Sequence, residues 1–208
     1  MKSSGWFLLI LCCTLFLGSA VAESSSDAQP NSGSVDGSRY TSSFFNFTYY
    51  IPEQWTVRSV AGRMPGTGLP LLLSLKKNAD AISAIMISAV ELPSEYNGDL
   101  GRYLEDRYRP PHTGSQMTIN GISTSRLHHN DAPEAELLSI NARSFYRVRL
   151  LSPGISRVVI GTLEKKYVIV FEVVSPASYL GGAETQLIDS LHALLFTVPK
   201  ADSAVEKK

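Results

Sequence analysis

The stretch HHNDAPEAE, residues 128–136, gathers the side chains best suited to chemistry: His128, His129, Asp131, Glu134 and Glu136. Imidazole nitrogens and carboxylate oxygens can together hold zinc or another divalent ion. A histidine–carboxylate pair in a pocket could also serve as general acid and base. The spacing does not fix such a site. Pro133 interrupts any regular element, and adjacent histidines on a strand point to opposite faces. The segment is expected to be a solvated polar loop, with a small metal-dependent hydrolase as the alternative. The chain contains no G-x-S-x-G, no H-E-x-x-H, no P-loop and no dinucleotide fingerprint. No catalytic residue and no cofactor is assigned, and the chain is expected not to be an enzyme.

A second pattern points to recognition instead. In ARSFYRVRL, residues 142–150, Arg143, Phe145, Arg147 and Arg149 fall on one face of a period-two strand. Ser144, Tyr146, Val148 and Leu150 fall on the other. Three guanidiniums interleaved with an aromatic ring suit a carboxylate-bearing partner, and arginine and aromatic residues are both enriched at interfaces. The competing expectation is the solvent face of a strand, where charge discourages edge aggregation.

These residues need a scaffold, and the apolar periodicity supplies one. FFNFTYYI (44–51) places Phe45, Phe47, Tyr49 and Ile51 on one side, before Pro52 ends the strand and Trp55 opens the next. Strands are predicted at 69–77 and 81–92, separated by a hairpin-length turn. DLGRYLEDRYR predicts a helix through Leu100, Tyr103, Leu104 and Tyr108, capped by Asp99 and stopped by Pro110-Pro111. Asn120-Gly121 predicts a hairpin turn. Strands at 142–151, 156–163 and 167–175 follow. SPASYLGG then turns into a last helix whose stripe is Leu187, Ile188, Leu191, Leu194 and Leu195. Gly62 to Gly68 read as a loop. His112 is expected to be exposed, and His192 to flank the last helix's stripe. This order predicts an α+β domain, an antiparallel β-sheet covered by helices.

The ends behave differently from the middle. Lys2, the apolar run Trp6–Leu17 and the small residues Ala20 and Ala22 form a secretory signal peptide, residues 1–22, with cleavage expected after Ala22. Cys12 and Cys13, the only cysteines, leave with it, so the exported chain has no thiol for a disulfide or a nucleophile. Residues 23–43 are rich in Ser, Gly, Asp and Asn and predict a disordered linker; 200–208 predict a flexible tail. One domain over 44–199 remains, and 44% hydrophobic residues suffice for one core. With 19 basic and 19 acidic residues, the chain has no general attraction for nucleic acid. No later run is long and apolar enough to span a bilayer.

The aromatic strand running into IPEQW, then RSFYRVRL, the hairpin VVIGTLEKKYVIVFEV and the closing helix ETQLIDSLHALLF resemble the PsbP-like superfamily over about residues 44–197. The resemblance implies an α-β-α sandwich on a central antiparallel sheet. It also implies a largely non-enzymatic role assisting larger assemblies, with no shared catalytic motif to carry over. The expected function is therefore a secreted or periplasmic binding or assembly-accessory domain that docks to a protein or envelope complex. Two alternatives stay open: the hydrolase above, and a carrier of an apolar small ligand between sheet and helix.

Overall fold

The computed structural model describes residues 29–64, 68–78, 80–109, 117–119, 122–124 and 133–197. The described structure opens with three short strands, β1 (Gly33–Asp36), β2 (Arg39–Ser42) and β3 (Phe47–Tyr50), and the longer β4 (Trp55–Arg63). Then come β5 (Pro70–Lys77), β6 (Asp80–Glu91), helix α1 (Leu100–Tyr108), β7 (Met117–Ile119) and β8 (Ile122–Thr124). The remainder is β9 (Glu136–Ile140), β10 (Arg143–Leu150), β11 (Ile155–Glu164), β12 (Tyr167–Pro176), helix α2 (Leu180–His192) and β13 (Leu195–Phe196).

Seven strands make one antiparallel sheet in the order β4-β5-β6-β12-β11-β10-β9, so β12 is its middle strand. Alternation along β12 divides the molecule. Ile169, Phe171 and Val173 face a core shared with α2 and a second, four-stranded sheet of order β1-β2-β3-β13. Val168 and Val170 face the opposite way, toward Leu100, Tyr103 and Leu104 of α1. Being buried on both sides, β12 reads as one apolar run without alternation. The expectation of a single sheet covered by helices is thus corrected: on the α2 side, the small sheet takes part of the cover.

The small sheet also corrects the predicted linker. Residues 33–42 form β1 and β2 rather than a free tether. Tyr40 and Ser42 of RYTS point inward and are fully buried, whereas Arg39 and Thr41 face out. Tyr40 sits over Gly33, where an added Cβ would lie 2.3 Å from the phenol oxygen. One glycine and one tyrosine therefore replace the apolar run that a strand normally shows. The aromatic segment behaves as its periodicity predicts, with one adjustment. Asn46 takes the left-handed conformation (φ 53), which asparagine tolerates, so Phe45 reaches the core from a turn and the strand starts at Phe47.

Helix α1 starts as predicted, with the Asp99 carboxylate accepting from the Arg102 N–H at 3.0 Å. β7 and β8 pair antiparallel, with Ile119 opposite Ile122; the predicted Asn120-Gly121 turn lies outside the described residues. Three details differ from the expectation. Gly181 and Gly182 lie in the first turn of α2, not in a turn ahead of it. The helix ends at His192, so Leu195 is an exposed strand residue, while Leu187 and Leu191 are buried. β9, which carries no strong apolar pattern, joins β10 through Asn141 and Ala142, both with positive φ.

If residues 33–42 belong to the domain, Tyr40→Ala should lower stability by about 3 kcal/mol in urea unfolding. An unchanged midpoint would restore the linker assignment.

Candidate functional site

The arginine row of β10 lies on the face that carries α2. Phe145 is buried among the residues of that core, and the guanidiniums on either side of it find carboxylates in the same chain. Arg147 Nη1 donates to Glu184 Oε1 of α2 at 2.8 Å, and its other nitrogens donate to Glu136 of β9. Arg149 reaches the same Glu184 oxygen through Nη2 at 2.8 Å and through Nε at 3.1 Å. Arg143 pairs with Glu164 at 2.8 Å and stacks 3.5 Å from the centre of the Phe196 ring. Through these contacts the row joins the sheet to α2, to the edge strand and to β13.

Burial separates the three arginines. The Arg147 and Glu184 side chains keep only 11% and 10% of their surface, and Arg149 keeps 45%. A nearly dry pair depends on its partner, because removing one member strands a buried charge; an exposed pair is screened and worth little. Arg147 is accordingly structural first. Its hydrogen bond also holds the Glu136 carboxyl below its ordinary range. That contribution is present above the ordinary carboxylate pKa and is lost as pH falls through the lowered value.

Two large apolar side chains stand exposed at the Arg149 end of the row. Leu151, just past β10, keeps 60% of its surface, and Tyr179, just before α2, keeps 64%. The turns that carry them are joined by the Ala177 N–H donating to the Gly154 carbonyl at 3.0 Å. At the other end, Asn141 Nδ2 donates to the carbonyl of His192 at 2.8 Å, so the helix runs the length of β10.

The proposed metal-ligand group is not assembled by the described residues. His128, His129 and Asp131 lie outside them, as does His112; Glu134 is exposed, and Glu136 is committed to Arg147. Among the described residues no group of three or more His, Cys, Asp or Glu could hold a metal. Nor is any helix among them long and apolar enough to cross a membrane.

A polar cluster that sequence reasoning missed lies on the α1 side. Glu172, in the middle of β12, accepts from Arg157 of β11, whose guanidinium stands 5.6 Å from the centre of the Tyr108 ring. Loss of water contact, reinforced by the Glu172 charge, pushes the Tyr108 phenol up to about 12. The signal was visible in YVIVFEVVS, where one carboxylate interrupts a fully apolar run.

Truncating Glu184 to alanine should cost about 3 kcal/mol, since it strands Arg147 in a dry site. Glu164→Ala, at the more exposed pair, should cost less than about 1 kcal/mol. Equal losses in urea unfolding would contradict this division.

No family model matches the chain, and no curated protein matches it. Solved structures do resemble it. The solution structure of cyanobacterial PsbP (CyanoP) from Synechocystis aligns with TM-score 0.46 and 9% identity, covering 80% of this chain and 97% of that one. A crystal structure from Bacteroides thetaiotaomicron aligns with TM-score 0.40 and 14% identity, covering 79% of this chain and 50% of that longer one. The first is a PsbP, the family that the sequence resembles; at these scores neither likeness bears on what this chain binds.

Proposed function

We propose that this chain is an exported, non-catalytic binding or assembly-accessory domain, and that it docks a protein partner at the Arg149 end of β10. The observation that carries the reading is the joint exposure of Leu151 and Tyr179 at the end of the sheet where Arg149 remains half open. Tyrosine and arginine are enriched where binding energy concentrates, and an apolar neighbour excludes water around them. The rest of the arginine row is neutralised within the chain: Arg143 pairs with Glu164 and Arg147 with Glu136 and Glu184, whereas Arg149 shares Glu184 with Arg147. The partner surface is therefore an apolar patch with one carboxylate, not an extended acidic stripe. Export rests on residues 1–22, whose basic start, apolar run and small residues suit a cleaved signal.

A photo-crosslinking residue at position 179 should trap one discrete partner in the native envelope or secretome. The same residue at Leu163, exposed at the opposite end of the sheet, should not. Arg149→Glu should then weaken the trapped complex about tenfold or more while the fold is retained. Equal labelling from both positions, or capture indifferent to Arg149→Glu, would remove this surface from the account. Sequencing the exported product should find Glu23 at its start.

A further inference from the structure

The large sheet ends in two strands, and only one of them carries the features that keep a free edge from pairing. β4 is bulged between Val57 and Ser59, exposes Arg58 and Arg63, and puts Ala61 in the left-handed conformation (φ 57). Bulges and edge charges of this kind discourage a further strand. β9 has no bulge, no proline and no lysine or arginine. Its one charge, Glu136, is committed to Arg147. Leu137 nevertheless keeps 60% of its surface, and Ser139 is exposed as well.

The hairpin turn fixes which backbone groups of β9 point outward. Two residues, Asn141 and Ala142, join β9 to β10, so Ile140 and Arg143 close the ladder as a hydrogen-bonded pair. Alternation makes Leu138 with Phe145, and Glu136 with Arg147, the next bonded pairs. Leu137 and Ser139 therefore turn their N–H and C=O groups away from β10, and among the described residues no strand lies beyond them. The outward row stops at Ala135, whose N–H donates to the Glu105 carboxylate at 2.9 Å. What remains, an N–H and a C=O on each of Leu137 and Ser139, is the complement of another extended strand.

That short row is also its own complement. With two copies of β9 antiparallel about a two-fold axis at Leu138, Leu137 of each copy faces Ser139 of the other, and every outward group is bonded. Moving the axis by one residue sets the row against Ala135, already taken by Glu105, or against the turn residue Asn141. In the register centred on Leu138, Glu136 faces Ile140, so no like charges meet. The two Leu137 side chains, on the face of the sheet that carries Tyr146 and α1, become diagonal neighbours across the axis.

We propose that β9 is a self-association edge, at which two copies of this chain pair through Leu137 and Ser139 and join their large sheets into one. A five-residue strand offers far less surface than permanent dimers bury, so the association is reversible and concentration-dependent. The interface uses none of Arg149, Leu151 and Tyr179 and does not rest on the docking surface.

The test is sedimentation equilibrium of the purified protein over a dilution series, with amide hydrogen exchange read at each concentration. A monomer–dimer equilibrium should appear, and exchange at Leu137 and Ser139 should slow as the dimer fills, while Leu138, already bonded to Phe145, changes less. Leu137→Lys, at a position open enough to keep the fold, should weaken the dimer about tenfold or more. If that variant does not fold, the exchange series on the unaltered protein still decides. Three results would overturn the proposal: a monomer at concentrations up to about 1 mM, a dimer indifferent to Leu137→Lys, or edge amides protected equally at every dilution, as when another segment of the same chain covers them.

Discussion

The packing of Phe47 and Tyr49 against Phe171 is the contact on which the rest of the molecule depends. Phe171 lies in the middle strand of the large sheet, with ring centres 6.4 Å from Phe47 and 5.9 Å from Tyr49 of the small one. Phe145 adds a fourth ring at 6.5 Å from Phe171. Aromatic side chains of this size dominate core energetics, and tilted ring pairs add to their burial. The opening aromatic segment thus serves as scaffold through Phe45, Phe47 and Tyr49, holding the two sheets together.

Helix α2 is positioned by what that contact leaves uncovered. Its apolar residues share the aromatic core, and its polar edges are then fixed one by one. The Ser190 hydroxyl donates to the Tyr49 phenol at 2.9 Å, and Trp55 Nε1 donates to Gln186 Oε1 at 2.9 Å. Glu184 accepts from Arg147 and Arg149. A helix held by directional bonds on three sides has one seat. Tyr179 at its start, and Leu151 on the turn after β10 that is bonded to it through Gly154 and Ala177, are presented on a rigid frame, which limits the ordering cost of docking.

The opposite face of the large sheet is built on less. α1 rests on β10 and β11, and beyond it the described surface passes to the Glu172–Arg157 pair and the methionine cluster. The middle strand thus separates a face rich in aromatic and directional contacts from one where a buried ion pair is set among apolar side chains.

Local pattern made much of this legible, and distant partners account for most of the rest. Period-two aromatics revealed the inward side of Phe45, Phe47 and Tyr49, and the Asp99 cap revealed the start of α1. The parity of Arg143, Arg147 and Arg149 was equally readable, but not what that face would meet, because Glu184 lies 37 residues beyond Arg147. β1 and β2 escaped notice because GSVD and RYTS bury only Tyr40, Ser42 and part of Val35, too little to outweigh a polar composition. Glu172 was conspicuous as a charge, yet its pairing with Arg157 emerges only from three-dimensional geometry. The central claim is that the small sheet and the large one form a single cooperative unit through the aromatic contact. Residue-resolved hydrogen exchange tests it most directly. The account predicts that the amides of Phe47 and Tyr49 exchange as slowly as those of Ile169 to Val173, through the same global opening. Rapid exchange across residues 33–50, with the large sheet still protected, would contradict it.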